Sequence, residues 1–121
     1  MKTKDVNKIL YLAGPISKDK EAEIKFYKAQ HQLNEAGFLV INPLEINPKT
    51  TFPDYDQMNE ADKALSQLKA DISIMLKCYG VATLPLCVPS SGMARELHLA
   101  YSLGMKVMPL EWWINKKPKR S

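Results

Sequence analysis

Glu96 follows a turn of small hydroxyl residues and a glycine, Ser90-Ser91-Gly92, at the start of a segment with helical periodicity. Met93, Leu97, Ala100 and Tyr101 recur at helical spacing, and Gly104 suits the position just past a helix end. The apolar run Val81-Ala82-Thr83-Leu84 comes before it, so the unit reads as strand, loop, helix. Unpaired backbone N–H groups at a helix start bind anions, and a carboxylate one turn in faces what is held there. The plain alternative is an ordinary capped helix with a surface glutamate. Asp71 falls late in another helical segment, where a carboxylate opposes the helix dipole at a cost of a few tenths of a kcal/mol or so. A residue that breaks a local rule is a candidate for function, although pairing with Lys69 or Lys77 would also explain it. Tyr11 lies near the end of an apolar run that stops at Gly14-Pro15, either in the core or at a ligand. The small loop Gly14-Pro15-Ile16-Ser17 leaves room for a ligand to approach its backbone, but it is no phosphate loop and no dinucleotide fingerprint.

These residues need a scaffold, and the length of 121 residues gives one domain large enough for a core without disulfides or metal. The 45 % apolar and 25 % charged residues are those of a soluble globular protein. Much of the net charge of +4 sits in Lys116-Lys117-Pro118-Lys119-Arg120, which reads as a solvated tail; nucleic acid is not the expected partner. No apolar run approaches membrane-span length and the start has no signal-peptide core, so a cytoplasmic protein is expected. Cys78 and Cys87, with His31 and His98, match no metal-binding spacing, and no metal is expected.

Periodicity then places the elements. Lys8–Ala13 reads as a buried strand, and Asp19–Ala36 as a helix with Ile24, Phe26, Tyr27, Ala29, Leu33 and Ala36 as its apolar positions. Phe38–Ile41 is a second strand, stopped by Asn42-Pro43. Leu44–Asn59, with prolines among polar residues, reads as a long functional loop. Glu60–Leu76 is a helix with Ala61, Ala64, Leu65, Leu68, Ile72 and Met75 on its apolar face. A last strand runs over Lys106–Leu110, and Trp112-Trp113-Ile114 beyond it either pack on the sheet or cover a partner subunit, the second being the preferred expectation. The order predicts an α/β fold: a single-domain, doubly wound, flavodoxin- or Rossmann-like parallel sheet of four to five strands with helices on both faces. Residues 1–110 form that domain and 111–121 an aromatic and basic tail.

The ordered motifs Tyr11-Leu12-Ala13-Gly14-Pro15-Ile16-Ser17, Ala36-Gly37-Phe38 to Asn42-Pro43, Asp71-Ile72-Ser73-Ile74-Met75-Leu76, Leu84-Pro85 and Ser90-Ser91-Gly92-Met93-Ala94-Arg95-Glu96 resemble the nucleoside 2-deoxyribosyltransferase superfamily. The chain looks closest to its small members of unassigned function from phages and bacteria. The resemblance spans roughly residues 8 to 110 and implies cleavage of the N-glycosidic bond of (deoxy)nucleosides or their 5′-monophosphates, by hydrolysis or transfer, without a cofactor. It implies Glu96 as nucleophile, Asp71 as the acid at base and sugar, and Tyr11 as the residue that orients Glu96. Ser90, where relatives acting on free nucleosides tend to carry an acid, tilts the expected substrate toward a 5′-monophosphate. Its phosphate would rest on Ser90, Ser91 and Gly92, with Gly14 and Ser17 on the facing loop. A homo-oligomer, dimer or tetramer, is implied as well. Two places depart from the close relatives: Cys78-Tyr79 stands where an acid usually follows the cysteine, and Pro85-Leu86-Cys87 where Pro-Gly-Trp is usual. Both are expected at the pocket rim, and they motivate the alternative of a non-catalytic protein that binds or sequesters a nucleotide.

Overall fold

The computed structural model describes residues 8–14, 20–85 and 91–115. Strands β1 (Ile9–Ala13), β2 (Leu39–Ile41), β3 (Gly80–Thr83) and β4 (Lys106–Pro109) form one parallel sheet in the order β2-β1-β3-β4. The chain steps from β1 outward to β2 and then returns to the other side of β1. That reversal is the switch point of a doubly wound sheet, where the carboxyl ends of neighbouring strands open a crevice. The α/β class expected from the order of elements is the one observed, with four strands.

The helices are α1 (Lys20–Glu35), α2 (Glu60–Met75), α3 (Ser91–Ser102) and α4 (Leu110–Asn115). Alternation along β1 assigns them to faces, since successive side chains of a strand point to opposite sides. Leu10 and Leu12 pack with Phe26, Ala29 and Leu33 of α1 and with Leu110 and Trp113 of α4. Tyr11 and Ala13 pack on the other face with Met75 of α2 and with Met93 and Ala100 of α3. A strand buried on both sides is apolar throughout, as β1 is. The end of α1 is a Schellman turn: Gly37 adopts φ +103°, and Phe38 N–H donates to Leu33 O at 3.0 Å.

Three expectations change. The segment 44–59 is not a plain loop but contains three short 3-10 turns, at Pro43–Glu45, Pro48–Thr50 and Tyr55–Gln57. The side chains of Asn42 and Asn47 accept from Leu44 N–H and Lys49 N–H, and a proline follows each asparagine with its φ already set. On α1, Ile24 and Tyr27 are exposed, so its buried stripe is narrower than the periodicity suggests. On α2 the expected apolar face points outward. Its buried residues are Ser66, Ala70, Asp71 and Met75, so Met75 alone of the six expected positions is buried. Part of the cause is the 3-10 segment: Ser66 Oγ donates to Met58 Sδ at 3.2 Å, and Lys63 lies over the Tyr55 ring.

The expectation that the tryptophans cover a partner is overturned at Trp113, which is buried in the domain's own core. Its Nε1–H donates to Val81 O at 3.0 Å and to Met108 O at 3.2 Å, and its ring meets Phe38 edge to face. Trp112 and Ile114 pack partly against the same cluster, so residues 110–115 belong to the folded unit. Gly80 makes room for the indole: a Cβ there would lie 2.8 Å from Trp113 Cη2 and 2.9 Å from Lys106 O. Trp113→Ala should therefore lower stability by about 3–5 kcal/mol, and Gly80→Ala by about 1–3 kcal/mol, both read as shifts of the urea midpoint.

Candidate active site

Three side chains singled out from the sequence converge on one face of the sheet. Tyr11 is the middle residue of β1 and points to the side covered by α2 and α3. Its hydroxyl donates to Glu96 Oε2 at 3.1 Å, a buried contact between positions far apart in the chain. Glu96, on α3, is 4 % exposed, and Asp71, on α2, is 3 % exposed. So Glu96 is not the surface glutamate of a plain capped helix. Neither Lys69 nor Lys77 holds Asp71. Gln67, one turn earlier on α2, donates from Nε2 to Asp71 Oδ1 at 2.9 Å. Gln67 was not singled out, although an amide four positions before a buried carboxylate is a legible pair.

Burial in a low-dielectric site disfavours the charged carboxylate. It pushes the Glu96 carboxyl up to about 7, with the Asp71 charge adding to the rise and the Tyr11 hydrogen bond opposing it. Asp71 is pushed up to about 6 by the same burial, opposed by the Gln67 amide. The Tyr11 hydroxyl is raised far above its ordinary value, first by burial and then by the charges of Glu96 and Asp71, and therefore stays a proton donor. The Asp71 charge raises Glu96, so the two acids are coupled, and with both raised toward neutral pH one can hold a proton while the other is charged. That is a machine for moving a proton and exposing a carboxylate at one place.

A cleft of about 390 Å³ opens beside β2, floored by Val40, Ile41, Ile46 and Ile74 and edged by Asn47 and Thr50. Its volume falls within the range of roughly 300–1,000 Å³ of small-molecule sites. Ile41 is the register partner of Tyr11, and Ile74 follows Asp71 by one turn of α2. The residues that line it do not include Tyr11, Asp71 or Glu96. Asn42, which the sequence marked only as a strand stop, also lines the cleft and is buried. It donates from Nδ2 to Gln30 Oε1 at 3.1 Å while its own oxygen caps the first 3-10 turn.

The expected anion turn is described only in part. Ser91 and Gly92 are the first two residues of α3, whereas Ser90 and Ser17 lie outside the described residues. Gly14 follows β1 and is buried. A Cβ there would meet Leu84 Cδ1 at 2.8 Å and Phe26 Cζ at 3.2 Å, so packing explains the glycine. Tyr79 departs from its expected place at the pocket rim. It directly precedes β3 and its N–H donates to Ile9 O at 2.7 Å, so it stands at the amino end of the sheet. Leu86 and Cys87 lie outside the described residues.

The raised Glu96 carboxyl has a consequence for stability. The folded state holds this proton more tightly than the unfolded chain, so stability is lost as pH rises from the ordinary value of 4.5 through about 7. Glu96→Gln should raise stability by about 1–3 kcal/mol at pH 8. At pH 5 the native glutamate is itself neutral and the gain should largely vanish. Thermal unfolding of both proteins at the two pH values checks this.

No helix of the described residues is long and apolar enough to cross a membrane. No protein of curated function matches the chain. Residues 8–109 match the family model described as "Domain of unknown function (DUF4406)", a span that covers the whole sheet together with Tyr11, Asp71 and Glu96. The chain belongs to the DUF4406 family.

Proposed function

We propose that this protein is a cytoplasmic N-glycosidase of (deoxy)nucleoside 5′-monophosphates, or the related deoxyribosyl transferase. The observation that carries the reading is the buried Tyr11–Glu96 hydrogen bond beside Asp71. The three residues that the resemblance to the nucleoside 2-deoxyribosyltransferase superfamily marks as machinery share one electrostatic cluster.

The chemistry follows from the pair and its single proton. Ionised Glu96 attacks the anomeric carbon as the C–N bond to the base breaks, through an oxocarbenium-like state. Asp71 gives its proton to the departing base, and the sugar is left as an ester on Glu96. Asp71, now ionised, takes a proton from water, and the hydroxide attacks the anomeric carbon and frees Glu96. A second base in place of water gives transfer. Tyr11 holds Glu96 in line for attack. The cleft over Ile41 and Ile74 offers space for the nucleoside, and Ser90 to Gly92 are the phosphate seat. None of these steps calls on a metal or an organic cofactor.

A second reading, a protein that binds a nucleotide without cleaving it, is favoured by the cleft wall, which is built from residues other than the two acids. One assay separates the two. The protein is incubated with a panel of (deoxy)nucleoside monophosphates and nucleosides, and free base is measured by chromatography. Release from a monophosphate is expected, with a loss of roughly a thousandfold or more in Glu96→Ala. Binding by calorimetry without base release from any compound would leave only the second reading.

The pH dependence is fixed by the same pair. Below about 6 Glu96 is protonated and cannot attack; above about 7 Asp71 has no proton to give. A plot of kcat/KM against pH should therefore be bell-shaped with its maximum between these values. An activity that climbs steadily to pH 9 would contradict the assigned roles.

A further inference from the structure

The outward face of α2 carries an apolar stripe that the sheet does not use. Ala61, Leu65, Leu68, Ile72 and Leu76 follow one another at spacings of four, three, four and four, which is one side of a helix. The side that faces the sheet is instead Ser66, Ala70, Asp71 and Met75. Leu65 is 45 % exposed and Leu76 44 %, Ala61 is exposed, and Leu68 and Ile72 are half-buried. A helix whose apolar stripe faces away from the sheet has a second surface to cover.

Charges beside the stripe say what covers it. Asp62 and Lys69 lie seven residues apart on the same flank, both exposed, and neither has an ion-pair partner among the described residues. We propose that α2 is a self-docking surface, on which a second copy of this chain lays its own α2 antiparallel about a two-fold axis. In that arrangement Ala61 meets the partner's Ile72 and Leu65 meets the partner's Leu68, each contact made twice. Asp62 then stands against the partner's Lys69, also twice, as flanking positions do in an antiparallel helix pair. A parallel arrangement would oppose Asp62 to itself and align the two helix dipoles. Ala64, on the other flank, is small enough for close approach of the helices. Charge signs, apolar spacing and dipoles all select the same antiparallel partner. The inference rests on the outer face of α2 alone and is independent of the proposed activity.

Sedimentation equilibrium of the full chain tests it. The wild-type protein is expected to be a dimer, and Leu65→Glu, at a half-exposed site that spares the core, should weaken association by roughly a hundredfold. Asp62→Lys or Lys69→Asp alone sets like charges against each other twice and should weaken it by about tenfold. The double variant restores complementarity and should return to within about threefold of wild type. Circular dichroism confirms that each variant is folded. A wild-type protein that stays monomeric up to about 100 µM, a dimer indifferent to Leu65→Glu, or a double variant no better than the singles would each overturn the proposal.

Discussion

Glu96 is a carboxylate shut away from water, and the arrangement of α2, α3 and β1 around it is what makes that tolerable. An isolated buried charge is too costly to keep, so the group either finds donors or takes up a proton. Here it does both in part: the Tyr11 hydroxyl supplies one hydrogen bond, and burial raises the carboxyl to about 7. For Tyr11 to reach Glu96, β1 must run beneath α3 in a fixed register. That register is set by parallel pairing on both sides, with Ile41 of β2 and Val81 of β3. A one-residue slip of β1 would turn Tyr11 to the face of α1 and α4 and leave Glu96 without its donor. The sheet order and the site are thus one constraint.

The same constraint explains why α2 is turned as it is. An apolar-only criterion would bury Leu65, Leu68 and Ile72, yet the helix presents Ser66, Ala70, Asp71 and Met75 to the interior. Asp71 is acceptable inside because Gln67 donates to it from the preceding turn, and because burial raises its pKa and so favours its neutral form. Small side chains at 66 and 70 let the helix lie close to its surroundings. Burying an acid here takes the place of burying a leucine, and a fold gains nothing in stability from that exchange. Residues kept against stability are the ones that function holds in place.

How much of this was legible depended on whether the deciding force was local. The strands and helix ends were, because Gly37, Gly104 and the Asn-Pro and Gly-Pro pairs act on the backbone within a few residues. The doubly wound order follows from the alternation of elements and the handedness of parallel crossovers. Asp71 could be singled out because a carboxylate late in a helix opposes the helix dipole, and Glu96 and Tyr11 because they stand beside the helix-start turn and the strand end where a ligand would sit. The facing of α2 was hidden, because periodicity gives the width of an apolar stripe and not what lies against it. Trp113 was hidden for a similar reason: its pocket is made by Gly80, Phe38 and two backbone carbonyls distant in sequence.

The order of the two carboxyl groups bears on what the cluster is for. Glu96 is raised further than Asp71, in part by the Asp71 charge, which favours the arrangement with the proton on Glu96 and the charge on Asp71. Attack by Glu96 with Asp71 as acid needs the opposite distribution, with the charge on Glu96 and the proton on Asp71. A sugar developing positive charge at its anomeric carbon favours that distribution, because it stabilises the ionised form of the carboxylate beside it. In the proposed reaction the resting site would keep Glu96 masked and the transition state would unmask it, so that the electrostatic gain would fall where it lowers the barrier. A pocket that only held a nucleotide would derive no such benefit.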